Sequence, residues 1–149
     1  MKQGLFLICP TGLKADVLSK IAKIDSADAF LYEGTNALPE IKAAVQAKNI
    51  AFIVENDAEL AVKLGADGVQ VPYEKGLKKL KTDLGDLALG VVCSTRDEAM
   101  RAGEAGADYI AFDGEKAAEL ARWWVELFTV PCLCLTAPCE QADFKVARL

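Results

Sequence analysis

Three cysteines stand close together in the run Cys132-x-Cys134-x4-Cys139, and thiolates at short spacing are first of all candidate zinc ligands. Their surroundings argue otherwise. On a strand, Cys132 and Cys134 bracket one residue facing the other way, and no fourth ligand lies near them. Cys9, Cys93, Cys132 and Cys134 all sit in apolar, β-branched runs, where a free thiol behaves as a small hydrophobe. Five cysteines are also an odd number, which outside a secretory context does not suggest a disulfide framework. The chain contains no histidine, so chemistry that needs an imidazole base or ligand is excluded.

Two polar pairs remain. Asn56-Asp57 follows the apolar run 51–54 and precedes an amphipathic stretch from Ala58, while Ser94-Thr95 stands in the same relation to Arg96. Side chains of these types accept hydrogen bonds from the free N–H groups of a first helical turn, and an acidic one also complements the helix dipole. Helix capping is therefore one role for each pair, compatible with a second role in binding.

The elements that position these residues alternate. Strands are expected at Leu5–Cys9, Ala29–Tyr32, Ala51–Val54, Gly68–Val71, Leu87–Cys93, Tyr109–Phe112 and Pro131–Leu135. Helices are expected at Lys14–Lys23, Leu38–Ala47, Ala58–Leu64, Lys75–Lys81, Arg96–Ala105 and Glu115–Phe128. Strand runs apolar on both faces suit a parallel sheet lying beneath helices, which is an α/β architecture. Gly65-Ala66-Asp67-Gly68-Val69 and Gly106-Ala107-Asp108-Tyr109-Ile110 repeat one device, a helix ended by glycine and followed at once by a strand. These units fit either an open doubly wound sheet or a closed (β/α) barrel. A full barrel takes about 200 residues or more, and this chain has 149. After Leu135 the segment Thr136–Gln141 is shorter than the roughly dozen residues of a helical crossover. Residues 142–149 offer at most one further strand, with nothing to cover it.

Composition narrows the setting. One domain, residues 1–149, is expected, with 52% hydrophobic and 26% charged residues, a globular balance. The net charge of −5, with no basic cluster interleaved with aromatics, speaks against nucleic acid as a partner. No apolar run approaches the roughly 20 residues of a membrane span, and Met1-Lys2-Gln3-Gly4 does not begin like a signal peptide. The expectation is a cytoplasmic protein without membrane contact.

The segment Ala51-Phe52-Ile53-Val54-Glu55-Asn56-Asp57-Ala58-Glu59-Leu60-Ala61, continued through Gly65-Ala66-Asp67-Gly68-Val69-Gln70, resembles the central signature of thiamine phosphate synthases. Members of that family carry an apolar strand ending in Asn-Asp, a short helix, and then Gly-Ala-Asp-Gly-Val-His. Gly106-Ala107-Asp108-Tyr109-Ile110 matches a second family segment, and the similarity extends over roughly residues 4–135. The resemblance implies a (β/α)8 TIM-type barrel, here shortened and missing its last helices. It also implies a transferase of thiamine biosynthesis that joins hydroxymethylpyrimidine diphosphate to thiazole phosphate with Mg2+ present. As diphosphate leaves, a cation-like methylene forms, so such a site must hold negative charge with a metal, Lys, Arg and backbone N–H groups.

By resemblance, Asp57 is a candidate Mg2+ ligand, and Asn56, Glu33, Ser94, Thr95 and Lys116 are candidate ligand-binding residues. The family's Gln-x-Arg-Glu-Lys motif corresponds to Phe30-Leu31-Tyr32-Glu33-Gly34, in which only the glutamate survives. Lys75 stands where the second metal carboxylate is expected, unless a small shift brings Glu74 there, and the closing Ile-Gly-Gly-Ile turn is replaced by Leu135-Thr136-Ala137-Pro138. A divergent barrel without full synthase activity, binding a small phosphorylated ligand and weak or lacking in Mg2+ binding, is the first expectation. An active synthase is the second. A homodimer is expected as well, because a barrel lacking its last helices bares apolar strand faces. Leu120, Trp123, Trp124, Leu127 and Phe128 also make a wide apolar face on one helix.

Overall fold

The computed structural model describes residues 3–10 and 16–149. Eight strands form one sheet: β1 (Gly4–Cys9), β2 (Ala29–Tyr32), β3 (Ala51–Glu55), β4 (Gly68–Pro72), β5 (Ala88–Cys93), β6 (Tyr109–Phe112), β7 (Cys132–Cys134) and β8 (Phe144–Arg148). Between them run α1 (Val17–Ala22), α2 (Leu38–Gln46), α3 (Ala58–Leu64), α4 (Leu77–Leu84), α5 (Arg96–Glu104) and α6 (Ala117–Leu127). Every ladder is parallel, and the strand order β7-β6-β5-β4-β3-β2-β1-β8 brings the two ends of the sheet round to face each other. This is a nearly closed TIM-type barrel.

Strand alternation sorts side chains into two apolar layers. Phe6, Ile8, Leu31, Ile53, Tyr109, Ala111 and Leu133 fill the barrel interior. Leu7, Phe30, Phe52, Val69, Leu89, Ile110 and Phe112 point outward beneath the helices. Several helix ends differ from expectation for local reasons. Gly76 (φ 84°) and Gly114 (φ 87°) take left-handed backbone, so α4 starts at Leu77 and α6 at Ala117. The expected start of α1 at residues 14 and 15 lies outside the described residues.

One device recurs four times around the barrel floor. Asp28, Asp67, Asp108 and Asp143 each precede an even-numbered strand. Each carboxylate accepts a backbone N–H of the odd strand before it: Leu5 (2.7 Å), Phe52 (2.7 Å), Leu89 (2.7 Å) and Cys132 (2.9 Å). Each of these aspartates returns its own N–H to the carbonyl of the same residue, at 2.7–3.0 Å. The last bracket matters most, because β7 and β8 share no ladder. Asp143 joins them at the floor, and the Arg148 guanidinium donates to Leu135 O (2.8 Å) at the top.

Residues 135–143 connect β7 to β8 without a helix. The bare apolar faces expected here are not found. Gln3 Nε2 anchors this connection through Cys139 O (2.8 Å) and Ala142 O (2.9 Å), and Ala142 packs into the outer core beside Cys132 and Cys134. The outward residues of β8 are Lys145 and Ala147, which need little cover. No helix among the described residues is long and apolar enough to cross a membrane.

Candidate functional site

The strands' C-terminal ends surround a cavity of about 210 Å³ lined by Ile8, Leu31, Glu33, Glu55, Asn56, Gln70, Pro72, Val92, Leu135 and Arg148. Its polar floor follows from register. Glu55, Gln70, Gly90 and Tyr109 are successive partners across β3, β4, β5 and β6, so they form one row inside the barrel. Gly90 has no side chain, and a Cβ there would fall inside the Tyr109 ring. The ring therefore crosses Gly90, and its hydroxyl donates to Gln70 Oε1 at 2.8 Å. Gln70 is only 3% exposed, and its amide is held at the cavity wall.

Glu33 and Glu55 meet in this cavity within hydrogen-bonding reach. Burial first, then the hydrogen bond and charge of Glu33, push the Glu55 carboxyl up to about 7. Near neutral pH the Glu55 carboxyl therefore still holds much of its proton. Burial and the charge of Glu55 likewise push the Tyr109 phenol up, so it stays a hydrogen-bond donor.

The residues expected from the sequence separate into two groups. Glu33 and Asn56 line the cavity. Asn56 adopts φ 61°, a left-handed conformation that asparagine tolerates, and its N–H donates to Gln70 O (2.8 Å). Asp57 is the N-cap of α3, its Oδ1 accepting from Leu60 N–H (3.0 Å), and it is not among the cavity-lining residues. Thr95 caps α5 through Glu98 N–H (3.1 Å), and Glu98 Oε1 accepts from Ser94 N–H (2.9 Å), a reciprocal cap. Lys116 is the exposed N-cap residue of α6 and makes no side-chain cap. Glu55, Gln70 and Arg148 are cavity residues the sequence reading passed over. Alternation inward from Ile53 was the available signal for Glu55.

A divalent metal fits poorly at the positions the resemblance marks. The Asp57 carboxylate is engaged by its helix, Lys75 occupies the second position, and the described residues include no cluster of three or more His, Cys, Asp or Glu placed to hold a metal.

The family model described as Thiamine monophosphate synthase matches residues 31–115. The thiamine-phosphate synthase of Erythrobacter litoralis is 35% identical over 120 residues, covering 70% of this chain and 56% of that protein. The thiamine-phosphate synthase of Rhodospirillum centenum is 35% identical over 116 residues, covering 66% of this chain and 55% of that protein. The chain therefore spans a little over half the length of these curated relatives. Among solved structures, a thiamine phosphate pyrophosphorylase from Pyrococcus furiosus superposes with a TM-score of 0.80 at 21% identity, over 97% of this chain and 85% of that one. Tryptophan synthase of Mycobacterium tuberculosis gives 0.70 at 10% identity, over 98% and 83%, a likeness of fold alone.

Proposed function

This chain belongs to the thiamine monophosphate synthase family, and from that premise we propose that it is a ligand-binding barrel of the family without full synthase turnover. Its ligand is a small phosphorylated molecule held at the C-terminal mouth. The observation that carries this reading is the Glu33–Glu55 pair on the cavity floor. Release of diphosphate calls for concentrated positive charge, and two carboxyl groups facing one cavity supply the opposite. The uncharged end of the ligand lies against Glu33, Asn56 and Gln70. Its phosphate end meets Arg148, with Lys116, Ser94 and Thr95 on the rim beyond.

Arg148 is also what favours the second reading, an active synthase joining hydroxymethylpyrimidine diphosphate and thiazole phosphate, since it brings one cation to the mouth. Calorimetry with thiazole phosphate, the pyrimidine diphosphate and inorganic diphosphate, each with and without Mg2+, separates the two when paired with an assay for thiamine phosphate. Binding of a phosphorylated compound, weakened about tenfold or more in Arg148→Gln, is expected, that being the worth of one charge-assisted hydrogen bond. Mg2+ alone should bind weakly. Asp57→Ala should leave ligand binding unchanged while lowering stability by about 0.5–2 kcal/mol, as loss of an N-cap does. Catalytic formation of thiamine phosphate would establish the second reading instead.

A further inference from the structure

The connection between β7 and β8 brings two thiols to neighbouring carbonyls of one helix. Cys134, 5% exposed, ends β7, and Cys139 lies half-buried farther along the same tight connection. The Cys134 thiol donates to Ala117 O (3.5 Å), and the Cys139 thiol has Gln141 Oε1 at 3.4 Å and Ala118 O at 3.8 Å within reach, the two carbonyls being neighbours in the first turn of α6. The Cys139 thiol is close enough to act on that of Cys134. Both line an open groove of about 450 Å³ beside the β7–β8 seam, so a small solute can reach them. Cys9, Cys93 and Cys132, also buried in the sheet, do not line that groove.

We propose that Cys134 and Cys139 form a modification site, a thiol pair that a hydroperoxide converts to an intramolecular disulfide. The Cys139 sulfur, the more exposed of the two, attacks the hydroperoxide. The O–O bond breaks, an alcohol leaves (water, from hydrogen peroxide), and Cys139 becomes a sulfenic acid. The Cys134 sulfur then attacks the Cys139 sulfur. The S–S bond forms, the S–O bond breaks, and the Cys134 proton leaves with the hydroxyl as water. Two thiols are oxidised by two electrons, and one hydroperoxide is reduced. Burial, followed by the nearby Cys139, pushes the Cys134 thiol up to about 12, so Cys134 is not the thiol that meets the hydroperoxide first. The bond ties the helix-free connection to β7, restraining the segment that bridges the seam.

The test treats the intact chain with hydrogen peroxide, alkylates it under denaturing conditions and digests it without reduction. Cleavage after Leu133 and Leu135 separates Cys132, Cys134 and Cys139 unless a disulfide joins them. The expected product is a linked Cys134–Cys139 peptide with Cys132 alkylated, lost in Cys139→Ser and reversed by dithiothreitol. In Cys134→Ala the Cys139 sulfenic acid should persist and be trapped by dimedone. Amide exchange across residues 135–143 should slow in the oxidised chain. A linked Cys132–Cys139 peptide, all five thiols alkylated, or Cys139 carried to sulfinic acid beside an alkylated Cys134 would each overturn the proposal.

Discussion

Tyr109 shows how one glycine can decide a polar contact. Its hydroxyl reaches Gln70 only because Gly90, lying between them in register, leaves room for the ring. Gly90→Ala should displace the ring and strand the Gln70 oxygen. Tyr109→Phe removes the donor while keeping the packing. Each should destabilise by about 1–3 kcal/mol, the cost of a buried polar group left without its partner, as read from denaturant unfolding. Glu55 offers a titration. Its folded value of about 7 lies above the usual carboxylate value of about 4.3, so between those limits the folded state holds a proton that the unfolded chain has released. Stability from this group is full at low pH and falls as pH rises through about 7. Gln70, Asn56, Glu33 and Arg148 face the same cavity. Glu55→Gln should flatten the profile and gain stability over the parent at about pH 8, seen as melting temperatures measured from acid to mildly alkaline buffer. The sequence concealed Glu55 behind its neighbours. Asn56-Asp57 carried the family signature and drew the functional reading, yet Asp57 turns away to cap α3 while the strand's two-residue period sends Glu55 inward.

The alternation of strands and helices was legible almost throughout, because each apolar run is bounded by caps or glycines with a local physical meaning. Ala29–Tyr32, Ala58–Leu64 and Tyr109–Phe112 lie where the pattern puts them. Less legible was what stands in for a helix between β7 and β8. That depends on Gln3, distant in sequence, and on Asp143, whose partner lies across the seam. The Gly-Ala-Asp echo at 65–67 and 106–108 was visible as a helix-ending glycine before a strand, but nothing local marks its aspartates as brackets to the preceding strand. The four brackets are equivalent in bonding but not in consequence. Asp67→Ala removes a bond beside an intact β3–β4 ladder, whereas Asp143→Ala removes a principal tie between β7 and β8. Asp143→Ala should therefore cost more stability than the roughly 1–3 kcal/mol of an ordinary lost charged hydrogen bond, and Asp67→Ala should not. Hydrogen exchange at Cys132 should rise in the first variant alone.

At the scale of the whole molecule, the sequence anticipated a homodimer through α6 or the C-terminal strands, and we propose the end of α6 as its surface. Trp124 is buried, donating from Nε1 to Val130 O (2.7 Å), while Trp123 is half-buried beneath Arg96. Beside it Leu127 is 64% exposed and Phe128 36% exposed, adjacent apolar groups that a second copy would cover. Light scattering at micromolar concentration should give the mass of two chains, and Leu127→Glu should return it to one. A single-chain mass for the parent would remove the expectation. The ladder of β1 with β8 also sets a time order. Every other ladder joins strands that are neighbours along the chain, whereas Gly4–Ile8 must find residues 144–148, so this pairing carries the largest loop-closure entropy. During refolding the other seven strands can assemble in sequence and wait, with β1 and β7 exposed as sticky margins, until β8 arrives. Protection of Phe144–Arg148 amides should appear last in pulse-labelled refolding, and crowding at that stage, rather than any weakness of the finished barrel, is where chains would be lost to aggregation.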